Sequence, residues 1–477
     1  MSVVTNTTTI GAIDAPSRRN TELMLLAFAV AIPVFAYINV GLALDGELPA
    51  GVIGYGLGLG LLAGVAHIVV RRFAKYADPL LLPLATLLNG LGLVLIWRLD
   101  QSPRLMARPD FSAQATNQLM YSALGIALFV GVLLVLKDHR VLQRFTYISM
   151  AVAIVLLLLP LVPGLGADVF GAKIWIRVGG FSIQPGEFAK IVIAVFFSGY
   201  LMVKRDALAL ASRRFMGLYL PRGRDLGPIL TIWAMSLLIL VFENDLGTSL
   251  LFFGMFVIML YVATERTSWI VIGLLMSAGG AVVVASFASH VQSRVAAWLD
   301  PFGCRESAAA AGNGNMLNAC DQMTQVLMSF GAGGTIGTGL GQGNSDLIGF
   351  ATNSDFIFST VGEELGLAGV MAFLLLYGLI IERGVRTALA ARDPFGKLFA
   401  IGLSGAFALQ VFVVAGGVMG LIPLTGMTMP FLAAGGSSVI ANWALIGILI
   451  RISDTARRPA PAPAPSPDAE MTQVVRP

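Results

Sequence analysis

Residues 23–40 read LMLLAFAVAIPVFAYINV, and this stretch decides the class of fold. It carries no charged side chain and is long enough to cross the hydrocarbon core of a bilayer as a helix. Similar segments recur along the chain, which is 56% hydrophobic and only 12% charged. Soluble domains carry about 25% charged residues. The sequence therefore predicts an all-α polytopic membrane protein.

The hydropathy pattern predicts twelve spans, an even number that puts both termini on one side of the membrane. The spans are 22–42, 48–70, 79–97, 117–136, 145–163, 186–203, 226–242, 246–264, 268–289, 358–381, 398–420 and 430–450. Lys and Arg are concentrated in the connections on the side of the termini, so the positive-inside rule predicts cytoplasmic termini in the plasma membrane. These Lys and Arg residues account for the net charge of +4, so the basic charge does not indicate binding to nucleic acid, and no nucleic acid partner is expected.

Composition divides the chain into four regions. Residues 1–20 and 456–477 are polar and Pro/Ala-rich, respectively, and we expect both to be disordered in the cytoplasm. Residues 21–75 hold two spans that precede the main transmembrane unit, 76–455. Within that unit, residues 290–357 form a large extracellular loop between spans nine and ten, and loops of this length are functional or disordered.

Unusual polar residues gather at the predicted outer ends of the spans. Charge beside a bilayer is costly and usually has a function. A transporter would place such charges near the midplane of two repeated halves, and this chain has no evident repeat. The pattern favours work on a substrate held at the outer surface, with a lipid-linked precursor flippase as the alternative and a scaffold as a third interpretation. The residues are Lys173, Arg177, Glu187, Lys190, Asp245, Asp355, Glu363 and Glu364.

Two pairs among these residues can be interpreted chemically from their positions in the sequence. Glu187 and Lys190 are three residues apart, so they share a helix face and can pair. Such a pair either offsets its own burial or forms an electrostatic site for a polar substrate. Lys173 and Arg177 are cations on the outer side, where topology does not need them, and they indicate an anionic ligand such as a phosphate.

The large loop holds the only two cysteines, Cys304 and Cys320. On an oxidising exterior we expect a disulfide between them, with two free thiols as the alternative. Two cysteines supply too few ligands for a zinc site. The glycine run 337–343 superficially matches a dinucleotide fingerprint, but it follows no strand and opens no βαβ unit. Its glycines are better explained by tight turns or by close approach of a ligand.

Four separated motifs carry a resemblance to a known family. They are GAKIWI at 171–176 with GGFSIQPGEFAK at 179–190, DLGT at 245–248, SDFIF at 354–358 with GEELG at 362–366, and PLTG at 423–426 with GGSS at 435–438. In this order they resemble the SEDS family, the bacterial shape, elongation, division and sporulation proteins, over about residues 80–455. The two extra spans and the Ala/Pro tail are typical of an actinobacterial member closer to the RodA branch than to FtsW.

The resemblance implies a ten-span core, here preceded by two additional spans, and a peptidoglycan glycosyltransferase activity. Such enzymes polymerise lipid II at the outer face of the cytoplasmic membrane for cell elongation or division. They work with a class B penicillin-binding protein, which is the crosslinking transpeptidase. This chain departs from the family pattern at Ile174, where a cation is usual, and at Asn244, where proline is usual.

The resemblance also implies roles for individual residues. The family's essential acid maps onto Asp355, the predicted general base, which we expect at a helix N-terminus where the dipole favours the ionised form. A plain helix cap is the alternative. Glu363 is close to the same helical face and could tune it, with the alternative that Glu363 and Glu364 simply brace the site. Asp300 is the second candidate base, although a residue before proline can simply end a helix.

The remaining predicted roles concern the substrate. Inverting transfer needs positive charge near the leaving pyrophosphate, for which Lys173, Arg177 and Lys190 are candidates. Whether several carboxylates hold a divalent cation, Mg²⁺ or Mn²⁺, is left open. The predicted substrate-binding residues are Lys173, Trp175, Arg177, Gln184, Glu187, Lys190, Asp245, Glu363, Glu364, Ser437 and Ser438.

Overall fold

The computed structural model describes most of the chain. The described residues are 17–109, 111–169, 172–178, 181–210, 213–215, 218–220, 234–235, 238, 243 and 245–459. Most of them are helical, as the sequence predicts. The helices are α1 (Arg19–Asp45), α2 (Val52–Phe73), α3 (Leu81–Asp100), α4 (Pro103–Met106), α5 (Ala115–Val135), α6 (Thr146–Leu158), α7 (Pro185–Leu210), α8 (Leu246–Thr264), α9 (Ser268–Ala285), α10 (Ser289–Leu299), α11 (Pro301–Ala311), α12 (Gly314–Gly333), α13 (Ile357–Glu364), α14 (Gly366–Ala390), α15 (Pro394–Val418) and α16 (Gly436–Arg457).

Eleven segments within the described residues are long and apolar enough to cross a membrane. They correspond to eleven of the twelve predicted spans, and the polytopic all-α fold class is confirmed. Nearly all of the remaining prediction, 226–242, lies outside the described residues. The eleven segments are the helices α1, α2, α3, α5, α7, α8, α9, α14, α15 and α16, and the segment His139–Leu161, which includes α6.

Three helices form the centre of the bundle. In α16, α3 and α15, 94%, 83% and 78% of the most apolar window is buried, against 22% in α2. Close helix contacts there rely on glycine, because a Cβ at Gly92 would meet the backbone of Leu432 and one at Gly125 would meet Trp443. The central helices therefore position the residues at their ends, including the site described below.

Helices α1 and α2 pack on α3. A Cβ at Gly90 of α3 would lie 2.7 Å from Cγ of Pro33 in α1, and Tyr37 stacks between Tyr55 and Trp97 with ring centroids 4.9 and 4.2 Å away. Tyr55 donates a hydrogen bond to the carbonyl of Gly90 (2.8 Å). The first two spans are thus docked on the bundle by shape and by aromatic contacts.

The start of α1 corrects the predicted boundary of the disordered region 1–20. The helix begins at Arg19, which is 2% exposed and pairs with Glu22 at 2.5 Å. Glu22 also contacts Nδ1 of His67 in α2 (2.8 Å). A buried charge needs partners of this kind. With these partners in place, the helix begins before the apolar run that starts at Leu23. Similarly, α16 runs to Arg457, beyond the predicted start of the tail at 456.

The predicted large loop, 290–357, is a folded segment. Three helices, α10, α11 and α12, occupy most of it, and a short 3-10 turn, Ser345–Ile348, follows. The predicted tenth span, 358–381, is wrong at its start. Gly366 adopts φ +66°, which separates the short helix α13 from the membrane-spanning helix α14. This break depends on contacts distant in sequence, since Leu367 N–H donates to the carbonyl of Gly334 (2.9 Å).

Five short strands lie among the described residues. Strands β1 (Gly166–Val169), β2 (Ala172–Val178) and β3 (Phe181–Ile183) form an antiparallel sheet in that order, with Ala167 opposite Trp175 and Arg177 opposite Ser182. Strands β4 (Arg213–Phe215) and β5 (Leu218–Leu220) form a hairpin pair. The first sheet was not predicted, and it leads directly into α7, whose first turn holds Glu187.

Candidate active site

Asp355 lies in a turn that precedes the buried helix α13. The turn is fixed by Phe356 N–H, which donates to the carbonyl of Ala351 (3.2 Å), and by Ala434 N–H, which donates to the carbonyl of Asn353 (2.8 Å). The predicted position at a helix N-terminus is wrong by a residue, because Phe356 is the N-cap of α13 and no side chain caps that helix. Asp355 is therefore free of a capping role, and its carboxylate is available for chemistry.

Burial raises the pKa of Asp355 to about 6. The positive charge of Arg294 and a hydrogen bond with the side chain of Ser354 oppose the shift, and the charge of Asp245 adds to it. The side chain keeps some exposure. A carboxyl group of this kind can exchange protons near neutral pH, as a general base must.

Arg294 is a site residue that the sequence reasoning did not assign. It projects from α10, and Nη1 donates to the carbonyls of Thr425 (2.7 Å) and Leu424 (3.3 Å) in the PLTG motif. Its charge acts on both Asp245 and Asp355. The charge pattern could have identified it. Arg294 lies in the predicted outer loop, where the positive-inside rule does not call for a cation, and the same is true of Lys173 and Arg177.

Asp245 has a structural function in addition to its place beside Arg294. It is the N-cap of α8, where its carboxylate accepts hydrogen bonds from Thr248 N–H (2.9 Å) and Thr248 Oγ1 (2.5 Å). Burial raises its pKa, and these two hydrogen bonds and Arg294 oppose the shift. The DLGT motif is thus explained by capping at the Asp and Thr positions. A Cβ at Gly247 would collide with Met427, so the DLGT motif lies directly against the segment after PLTG.

Glu187 and Lys190 form the predicted ion pair in the first turns of α7, with Nζ 2.6 Å from Oε2. Nζ also donates to Gln410 Oε1 (2.8 Å) and Asn442 Oδ1 (3.0 Å), so all three of its hydrogens are used. Lys190 is 1% exposed. It therefore links α7, α15 and α16 in this structure, and its predicted contact with a pyrophosphate would need these bonds to rearrange.

Gln184, Ser437 and Ser438 extend this link. Ser437 Oγ accepts from the backbone N–H of Gln184 (2.8 Å), and Asn442 Nδ2 donates to Ser438 Oγ (3.2 Å). Both serines are buried. Ser437 joins the start of α16 to the residue before α7, whereas the bond of Ser438 lies within α16. The predicted contact of both serines with the substrate stays a prediction.

Lys173, Trp175 and Arg177 alternate along β2, so their side chains share one face of the sheet. Lys173 and Arg177 are exposed, and Trp175 is partly exposed between them. Within the described part of the chain, neither cation has a carboxylate partner. They are therefore the positive charges best placed to meet an anionic ligand from solution.

Glu363 and Glu364 hold a turn and do not face Asp355. Backbone N–H groups of Asn344 and Gly341 donate to Glu363 Oε1 (2.7 Å) and Glu364 Oε2 (2.8 Å). Glu364 also pairs with Arg98 of α3 (2.5 Å). The expectation that Glu363 tunes Asp355 has no support, because the charges that act on Asp355 are those of Arg294 and Asp245.

Asp300, the second candidate base, is a helix cap. It precedes Pro301 and accepts a hydrogen bond from Gly303 N–H (3.0 Å), and its side chain is exposed. Cys304 and Cys320 are disulfide-bonded, with Cα atoms 5.9 Å apart, and they pack against Ala297 of α10. The disulfide thus joins α11 and α12 beside the helix that carries Arg294.

Protein side chains alone do not form a metal site near Asp355. Among the described residues, no group of three or more His, Cys, Asp and Glu side chains is placed to hold a metal ion. The charges that act on Asp245 and Asp355 include the positive charge of Arg294. The predicted divalent cation stays a prediction, because Mg²⁺ can be held by one or two carboxylates together with substrate phosphates.

The chain is similar to known proteins in sequence and in fold. The chain is 48% identical, over 93% of its length and 92% of the relative's, to the peptidoglycan glycosyltransferase RodA of Mycobacterium tuberculosis. The crystal structure of the rod shape determining protein RodA of Thermus thermophilus matches with a TM-score of 0.53 at 23% identity, covering 80% of this chain and 98% of that one.

A second solved structure, described as the structural coordination of polymerization and crosslinking by a peptidoglycan synthase complex, matches with a TM-score of 0.52 at 22% identity. The match covers 85% of this chain and 98% of that one. The family model of FtsW, RodA and SpoVE, described as a cell cycle protein, matches residues 79–458, which include Asp355, Arg294 and Asp245. The chain belongs to the FtsW/RodA/SpoVE family of cell cycle proteins.

Proposed function

We propose that this protein is a peptidoglycan glycosyltransferase that polymerises lipid II at the outer face of the cytoplasmic membrane. The observation that carries the proposal is the placement of Asp355, with a pKa raised to about 6, beside Arg294 and Asp245. The name of the mycobacterial relative supports the same activity, because that relative is similar over nearly the whole of both chains.

In the proposed reaction Asp355 removes the proton from the acceptor sugar hydroxyl. The resulting oxygen attacks the anomeric carbon, the bond to the lipid pyrophosphate breaks, and the pyrophosphate leaves with the electron pair. Inversion follows from a single displacement. Lys173 and Arg177 are exposed on one face of β2 and would bind the departing anion.

The flippase alternative is less favoured. A transporter needs its key charges near the bilayer midplane. Asp355, Arg294 and Asp245 instead lie outside the spans, at helix ends and in the segment between α9 and α14. A scaffold would not need an acid with a pKa near neutrality.

We also propose the orientation and the partner. Cytoplasmic termini would put Asp355 outside, where lipid II is polymerised. A class B penicillin-binding protein would supply crosslinking, in the elongation or the division machinery. One of the similar solved structures is a peptidoglycan synthase complex in which polymerization and crosslinking are coordinated, which supports this pairing.

The test is polymerisation by the purified full-length protein of lipid II in detergent, with and without a co-purified class B partner. Long glycan strands on a gel are expected. Lipid II that is flipped in proteoliposomes but never polymerised, with or without the partner, would overturn the proposal. Adding EDTA, and then Mg²⁺ or Mn²⁺, tests whether a divalent cation assists.

A further inference from the structure

The glycine turn, residues 337–343, encloses the far end of α13. Gly337, Gly339 and Gly341 all have positive φ, at +94°, +106° and +82°, so the tight turn expected from the sequence is present. Four backbone N–H groups in and after the turn donate to the last two residues of α13. They are Thr338 to the carbonyl of Glu363 (2.9 Å), Gly339 to the carbonyl of Glu364 (3.0 Å), Gly341 to Glu364 Oε2 (2.8 Å) and Asn344 to Glu363 Oε1 (2.7 Å).

Helix α1 holds the other side of this turn. A Cβ at Gly341 would lie 3.2 Å from Cβ of Ala43 and 3.3 Å from the carbonyl oxygen of Val40. Leu340 packs into the small apolar cluster that includes Tyr37 and Val40 of α1. The glycine turn is therefore held between α1 and α13, and a side chain at Gly341 would need α1 to shift by a few tenths of an ångström.

Helix α13 connects this contact with the catalytic site. Its eight residues are all buried, and it begins two residues after Asp355. A helix of eight residues is about 12 Å long, and its backbone hydrogen bonds couple one end to the other. Displacement of its far end therefore displaces Asp355, and a shift of about 1 Å can cost on the order of a hundredfold in rate.

We infer that α1, which precedes the segment matched by the family model, is a positioning element for the glycosyl transfer, because it clamps the glycine turn that holds α13. The inference rests on the proposed function. Anchoring α1 to the bundle does not require this contact. Arg19, Glu22 and His67 pair at the opposite end of α1, and Pro33 docks on Gly90 at its centre.

The first test compares Gly341→Ala with Gly46→Ala. Both glycines have positive φ (+82° and +72°), so alanine is strained at both, but a Cβ at Gly46 meets nothing within 4 Å. We expect kcat for lipid II polymerisation to fall about tenfold or more in Gly341→Ala with KM nearly unchanged. Gly46→Ala should keep the wild-type kcat.

The second test approaches the turn from α1, where Ala43→Phe is compared with Leu44→Phe. Ala43 and Leu44 are both exposed, and Ala43 also approaches the turn. Both variants should therefore fold, which the size-exclusion profile and the unfolding temperature check. Only Ala43→Phe should lower kcat. Equal kcat in Ala43→Phe and Leu44→Phe would overturn the inference, even if Gly341→Ala does not fold. A wild-type protein that makes no glycan would instead refute the proposed function.

Discussion

Asp355 combines a pKa raised to about 6 by burial with a neighbouring cation, Arg294, that opposes the shift. The sequence predicted the acid from its motif, and the pattern of outer charges predicted which end of the bundle it occupies. Neither could give its surroundings. Arg294 and Asp245 are 61 and 110 residues away along the chain. Their charges act on Asp355 because α10 lies against the PLTG motif and the start of α8 lies against Met427, just after that motif.

The pH dependence of kcat/KM follows from this pKa, because it belongs to the enzyme without substrate. A general base works only when it is ionised, so kcat/KM should be full well above pH 6 and should fall as the pH drops through about 6. Initial rates of lipid II polymerisation across that range, at lipid II concentrations below KM, measure it. The Asp300→Asn variant should show the same profile, since Asp300 only caps α11. A rate that stays constant well below pH 6 would contradict the assignment.

Replacing Arg294 should change both the rate and the profile. In Arg294→Met the charge that lowers the pKa of Asp355 is lost, so the acidic limb should move to higher pH. The rate should fall by on the order of tenfold or more, because the PLTG carbonyls also lose their donor. The matched control is Arg305→Met, since Arg305 is exposed and pairs with Asp321 (2.9 Å). An unchanged acidic limb in Arg294→Met would contradict the coupling.

At the scale of elements, long apolar helices are well predicted and their interruptions are not. The predicted tenth span begins at Phe358 and includes Glu363 and Glu364, and the break at Gly366 is held by contacts distant in sequence, such as Leu367 N–H with the carbonyl of Gly334. The sheet β1–β3 escaped prediction because its strands are too short for a distinct alternating pattern of apolar and polar residues. The end of α10 at Asp300 was foreseen, because a residue before proline is a local signal for the end of a helix, whereas its capping of α11 was not.

The disulfide provides the prediction at this scale. Without reduction, alkylation should leave Cys304 and Cys320 unmodified, and reduction should add two alkyl groups by intact mass. The Cys304→Ser/Cys320→Ser variant should unfold at a lower temperature, since a loop of this size can contribute about 3 kcal/mol. Ser329→Ala, in the same helix α12, is the control. Alkylation of both thiols in the native protein would refute the bond.

The whole molecule is a bundle organised around α3, α15 and α16, with α1 and α2 docked on α3. Hydropathy predicted all eleven described spans. A span in lipid must satisfy its own backbone hydrogen bonds, so it forms a long apolar helix that can be recognised in the sequence. Hydropathy could not show that α1 reaches the glycine turn. That contact depends on Gly341, whose lack of a side chain has a purpose only in the folded protein.

Orientation can be tested on the same scale. In a Cys304→Ser/Cys320→Ser background, an impermeant thiol reagent should label Asn313→Cys in intact cells. Ala390→Cys, at the other end of the bundle, should react only after permeabilisation. The positive-inside rule is the physical reason, because Arg386, Arg392 and Lys397 surround that position. If Ala390→Cys alone is labelled in intact cells, the orientation of the protein is the opposite of the one proposed.

The most direct test of the central claim is lipid II polymerisation by Asp355→Asn beside Asp300→Asn. Asparagine preserves the shape of each side chain and removes its basicity. We predict that Asp355→Asn lowers kcat by about a hundredfold or more, whereas Asp300→Asn, an exposed helix cap, keeps nearly full activity. Equal folding temperatures would show that both variants are intact. Full activity in Asp355→Asn would contradict the account.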